Sequence, residues 1–235
     1  MPKIIRTPAR TGVFCECGIP SYRHGLPAGR GHCFNMQYTI FDVPLLKNLL
    51  RGLSILVLNI FGWRREGRIP DIPKYVVIAA PHTSNWDFPI TLAMLFAFKL
   101  KVYWMGKDTL FCWPFRPFFR FLGGIPIDRS RSANVVEQSI QAFRERAKLA
   151  MMISPEGTRR NVSYWKTGFY YIASGAGVPI VLGFLDYLRK AGGFGHVMEP
   201  TGDMDADMEK IHVFYAGVTG RHPEKFSPGA ILSRK

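Results

Sequence analysis

From residue 75 onward the chain alternates short apolar runs with longer stretches of helical period, and this rhythm restricts the fold more than any other feature. YVVIAA (75–80), KVYWM (101–105), GIPI (124–127), LAMMIS (149–154) and PIVLGF (179–184) read as strands. They are too short for buried helices and rich in β-branched and aromatic residues. Segments 86–100, 114–122, 133–148 and 169–174 read as helices between them. Strands that alternate with helices in this way predict an α/β fold with a mostly parallel central sheet, flanked by helices. The acids Asp203, Asp205, Asp207 and Glu209 look like the opening of a calcium loop, but no Gly stands at its sixth position and Phe214 replaces the closing acid. They read instead as the start of a further helix running to about residue 218.

Two segments precede this pattern. Residues 1–38 contain Cys15, Cys17 and Cys33 among many Gly, Pro and Arg, without helical or strand period, and read as a loop-rich or disordered extension. Cys15, Cys17, His32 and Cys33 offer four ligand types, but paired metal-finger spacing is missing. Unpaired thiols are favoured over a metal site, and no metal is expected. Met36, just before regular patterning begins, is where an alternative start would fall.

Residues 39–68 contain an amphipathic helix. Pro44 suits its first turn and Gly62 its end, while Leu45, Leu46, Leu49, Leu50, Leu53, Leu56, Val57 and Ile60 form a wide apolar face. Trp63, Arg64, Arg65 and Arg68 follow. This helix fits either a core position or a membrane interface, and the basic flank favours the interface. Lys47 and Arg51 argue against a span. Residues 69–235 then form the α/β domain. The charge excess of +14 suggests an anionic partner, and the 47% of hydrophobic residues excludes disorder as the main state. No secretory signal is visible, so a cytoplasmic setting is expected.

The chemistry gathers at strand ends. Pro81-His82-Thr83-Ser84-Asn85-Trp86-Asp87 follows the first strand and opens a helix. Reactive groups in open α/β sheets collect beyond the carboxyl ends of strands. There, a carboxylate can orient an imidazole acting as general base. A helix cap formed by Asn85 or Asp87 beside an incidental His is the competing reading. Ser154-Pro155-Glu156-Gly157-Thr158-Arg159-Arg160 follows another strand, with Gly157 permitting close backbone approach and two guanidinium groups suited to phosphate. Ile127-Asp128-Arg129 and Lys107 add cations at two more strand ends. Scattered surface charge explains each of these singly but not their shared placement.

In combination these motifs resemble the lysophospholipid (glycerolipid) acyltransferase family, typified by 1-acylglycerol-3-phosphate acyltransferases. The His-x-x-x-x-Asp block matches His82, Ser84 and Asp87, and the Ile-Asp-Arg block matches Gly124 and Ile127 to Arg129. Pro-Glu-Gly-Thr-Arg stands unchanged as Pro155 to Arg159, the apolar block matches Val178, Pro179 and Ile180, and Lys166 and Gly168 fit the basic-then-glycine pattern between the last two. Pro126 departs from the usual residue of the second block.

The resemblance implies transfer of a fatty acyl group from acyl-CoA or acyl carrier protein to a lysophospholipid hydroxyl, that of 1-acylglycerol 3-phosphate first and of another lyso-lipid such as an aminolipid as the alternative, in phospholipid biosynthesis or remodelling. His82 would be the base and Asp87 its partner. Lys107, Arg129, Glu156, Gly157, Thr158 and Arg159 would form the acceptor site, and Pro179 would shape an acyl or acceptor pocket. Glu156 would orient rather than act as a second base, and backbone N–H groups of the His82 loop or Gly157 would stabilise the oxyanion. No cofactor is required, and a membrane surface at the cytoplasmic face is the expected partner. A serine hydrolase using Ser84 lacks the Gly-x-Ser-x-Gly elbow. A catalytically silent membrane-binding protein has no need of His82, Asp87, Glu156 and Arg159 together. A nucleic-acid-binding module is permitted by charge, but no recognition motif for one is visible, and nucleic acid is not an expected partner.

Overall fold

The computed structural model describes residues 38–127 and 132–232 of the chain. The extension before residue 38, with Cys15, Cys17, His32 and Cys33, lies outside the described residues, as do Asp128 and Arg129.

Seven strands form one sheet: β1 (Arg64–Glu66), β2 (Lys74–Ala80), β3 (Tyr103–Lys107), β4 (Gly124–Ile127), β5 (Leu149–Ile153), β6 (Ile180–Asp186) and β7 (Ala191–Met198). Their spatial order is β1-β7-β6-β2-β5-β3-β4. Neighbouring strands run parallel except for the antiparallel pair β6–β7. The expected parallel α/β sheet is therefore present, and the carboxyl ends of β2, β3, β4, β5 and β6 meet at one edge. β2 lies in its middle, and Val76, Val77 and Ile78 are fully buried.

Strand alternation sends β2 side chains to both faces. Val76, Ile78 and Ala80 join a core with α4 (Ser132–Glu145), α5 (Gly168–Ala176) and α6 (Met204–Ala216). Tyr75 and Val77 join a second core with Leu95 and Phe96 of α2 (Asp87–Ala97). Asp203 caps α6, accepting hydrogen bonds from the Asp205 and Ala206 N–H groups, so the acidic run is a helix start.

α1 (Pro44–Ile60) begins with Pro44 and lies antiparallel to α2. Arg51 Nε donates to the Ala97 carbonyl, Leu58 packs with Met94, and Lys101 pairs with Asp42 at 2.6 Å just before the helix. Leu45, Leu49, Leu53, Leu56 and Ile60 stay exposed, whereas Leu58 is buried. Among the described residues no helix is long and apolar enough to cross a membrane. After α1 the chain enters β1, an edge strand of the same sheet. Segment 39–68, expected as a unit of its own, is thus joined to the 69–235 fold by packing and by backbone pairing.

Candidate active site

β2 ends at Ala80, and the peptide joining it to Pro81 is cis. The next turns of chain carry the site. Asp87, the first residue of α2, folds its carboxylate back over the loop that precedes it. Its Oδ2 accepts from the Thr83 N–H at 2.7 Å and the Ser84 N–H at 2.8 Å, and lies 3.1 Å from His82 Nδ1. One carboxylate therefore shapes the loop and touches the imidazole, whereas neither Asn85 nor Asp87 caps α2 through its side chain. These bonds hold its carboxyl below the ordinary range despite burial, which acts the other way. The His82 side chain is 32% exposed, against 5% for Asp87. With Nδ1 donating to Asp87, Nε2 presents a lone pair, and no hydrogen bond occupies it among the described residues.

Glu156 sits in the turn after β5, the neighbour of β2 in the sheet. Both its oxygens accept from the His82 backbone N–H, at 3.0 and 3.1 Å. Burial, reinforced by the nearby Asp87 charge and opposed by the His82 N–H, pushes the Glu156 carboxyl up to about 8. The glutamate thus binds the two loops together from beneath. Gly157 follows at φ +65°, with its N–H donating to the Ser154 carbonyl at 3.2 Å. The Lys166 side chain lies in van der Waals reach of Gly157, 3.4 Å from where a Cβ would stand. Arg159 is exposed, and Thr158 Oγ1 accepts from the Arg160 N–H. Lys107 is exposed at the end of β3, on the same edge.

His82, Asp87, Glu156, Gly157, Thr158, Arg159 and Lys107 therefore share the carboxyl edge of the sheet. Pro179 does not. It precedes β6 at the opposite end, where its carbonyl accepts from the Val76 N–H, roughly 13 Å of strand below Ala80. Arg129 falls two residues beyond the end of β4, outside the described residues. The expected oxyanion donors also differ. The N–H groups of His82, Thr83, Ser84 and Gly157 are already spent on Glu156, Asp87 and Ser154. Ser84 is buried, and its Oγ accepts from the Trp86 N–H at 3.2 Å, a loop-stabilising role without contact to the imidazole.

Two parts of the site were missed from the sequence. Tyr187, just past β6, donates its hydroxyl to Asp87 Oδ1 at 2.6 Å. Residues 219–222 lean on the His82 loop. The Tyr187 N–H donates to the Thr219 carbonyl, the His222 N–H donates to Thr83 Oγ1, and a Cβ on Gly220 would meet that Oγ1 at 2.9 Å. This segment places the Arg221 guanidinium 5.5 Å from the exposed Trp86 ring, adding a cation at the rim. Neither part has a local sequence pattern, because both reach their partners from 100 residues away or more.

No curated protein matches the chain. A solved structure, the 1-acyl-sn-glycerophosphate (LPA) acyltransferase PlsC from Thermotoga maritima, is similar in fold. The TM-score is 0.50 at 17% identity, over 73% of this chain and 76% of that one. The family model Acyltransferase matches residues 64–181, half of the chain and the span from β1 to the start of β6. That span contains His82, Asp87 and the turn Pro155 to Arg159, so the chain belongs to the acyltransferase family.

Proposed function

We propose that the protein moves a fatty acyl group from a thioester, acyl-CoA or acyl carrier protein, to the free hydroxyl of a lysophospholipid, with 1-acylglycerol 3-phosphate the first candidate. The observation that carries this reading is the His82 imidazole, tied to Asp87 through Nδ1 with Nε2 open at the sheet edge. Nε2 takes the proton of the acceptor hydroxyl as its oxygen attacks the thioester carbonyl. The tetrahedral adduct collapses, the C–S bond breaks, and the imidazolium returns its proton to the leaving thiolate. Asp87, held ionised by its hydrogen bonds, stabilises the imidazolium. A thioester is reactive enough that neither an enzyme nucleophile nor a cofactor is required.

Arg159, with Lys107, Lys166 and Arg129, is suited to the acceptor phosphate, and Arg159 can offer it two parallel donors. Gly157 and Thr158 shape that turn. The exposed apolar stripe of α1 suits the interface of an anionic bilayer, with Arg64 and Arg65 beside it for lipid phosphates. This seat would be at the cytoplasmic face of the membrane, and the reading leaves no role for nucleic acid.

The test is a purified-protein assay with a panel of lysolipids and both donor types, followed by mass spectrometry. His82→Ala is expected to lower kcat by roughly 10²–10⁴-fold with the fold intact by circular dichroism. Turnover at the wild-type rate would end the general-base assignment.

A further inference from the structure

We propose that Tyr187 is a positioning residue for the base, the third member of a Tyr187–Asp87–His82 chain; this rests on the general-base reading of His82. Asp87 Oδ2 already serves three groups, the His82 ring and the Thr83 and Ser84 N–H groups. Oδ1 is met by the Tyr187 hydroxyl at 2.6 Å, the shortest contact the carboxylate makes. A partial twist of the carboxylate about its Cβ–Cγ bond would take Oδ2 out of line with Nδ1. The phenol blocks that rotation, because it offers one donor from a fixed direction.

The ring itself is held from three sides. Its backbone follows β6 directly, its N–H donates to the Thr219 carbonyl at 2.9 Å, and it packs T-shaped with the Trp63 ring, with centroids 5.0 Å apart. Trp63 is buried and belongs to the small core that joins the end of α1 to Met94 and Leu185. The acid that touches the imidazole is thus fixed by a hydroxyl whose own scaffold comes from elsewhere in the fold. Burial and the Asp87 charge raise the phenol far above its ordinary range, so it stays a donor at every pH at which the enzyme would work.

The test is Tyr187→Phe in the full chain, assayed with the lysolipid and donor that the wild type uses, beside His82→Ala. A hydrogen bond to a charged group predicts a fall in kcat of roughly tenfold or more. KM for both substrates should stay within about twofold, since the hydroxyl lies behind the carboxylate. The acidic limb of the pH–rate profile should move to higher pH, because a carboxylate stripped of one donor stabilises the imidazolium more strongly. Unchanged kcat and pH profile, with only a lower melting temperature, would make the contact purely structural and overturn the proposal. Wild-type turnover by His82→Ala would instead strike at the base itself. An inactive His82→Ala alongside an unaltered Tyr187→Phe rejects the role of Tyr187 alone.

Discussion

Glu156 and Asp87 are two carboxyl groups that both bond the His82 loop, with opposite settings. Asp87 collects four hydrogen-bond donors and stays ionised, whereas Glu156 meets a single backbone N–H in a buried place and is pushed up to about 8. The consequence for stability has a definite sign. An unfolded chain releases the Glu156 proton near its ordinary value of 4.5, while the folded chain keeps it to about 8. Across that window the folded state binds more protons, so raising the pH lowers stability. The melting temperature is expected to fall as pH rises through this window. Glu156→Gln should flatten the slope, because the amide oxygen still accepts from His82 N–H and carries no proton to lose. An unchanged slope in that variant would place the effect elsewhere. Asp87 contributes the reverse, stability that is lost in acid below the ordinary carboxylate range.

At the scale of the element, α1 buries one narrow face and leaves another bare. Leu58 and Ser54 face inward, while Leu45, Leu49, Leu53, Leu56 and Ile60 are exposed along one side. Replacing Leu49 and Leu53 together by Glu is expected to abolish co-sedimentation with vesicles of mixed zwitterionic and anionic phospholipid, with little change in melting temperature. Both side chains already face water, so the fold loses little by the exchange. Binding at the wild-type level would remove α1 from the membrane contact. The helix was legible because its period of 3.6 and its initial Pro44 are local signals. The strands β2, β5 and β6 were legible for a similar reason, since burial on both faces demands continuous apolar runs.

β1 and β7 were not legible. β1 is three residues, Arg-Arg-Glu, at the sheet edge, with no apolar pattern to mark it. β7 contains Gly192, Gly193 and Gly195, and glycine argues against a strand on propensity alone. Packing requires these glycines. A Cβ on Gly193 would fall 1.9 Å from the Glu66 carbonyl oxygen, and one on Gly195 would fall 2.2 Å from the Phe214 ring. The close approach that admits β1 is a property of two distant segments, and no window of sequence contains both.

For the whole molecule, the charge of +14 acts over a distance that single contacts do not reach. Attraction of the intact protein to anionic vesicles should weaken steeply as salt rises, since the Debye length shrinks from about 10 Å at 0.1 M to about 3 Å at 1 M. Binding to purely zwitterionic vesicles, held by the apolar stripe, should barely change. Equal salt dependence on both surfaces would mean that the excess charge serves some other partner. The site, too, was only partly legible. His82, Asp87 and the Glu156–Arg159 turn are contiguous motifs at strand ends, and adjacent strands bring them together. The His82, Thr83, Ser84 and Gly157 N–H groups are engaged within the fold, and sequence does not reveal how a loop spends its own N–H groups.

Segment 219–222 follows α6, the last long helix, yet it is what lies against Thr83. A ribosome would deliver the histidine early and this brace more than 130 residues later. A nascent chain would hold the imidazole and its acid long before the surrounding loop was closed, so competence would wait for residues 219–222 rather than arrive with the residues that perform the reaction.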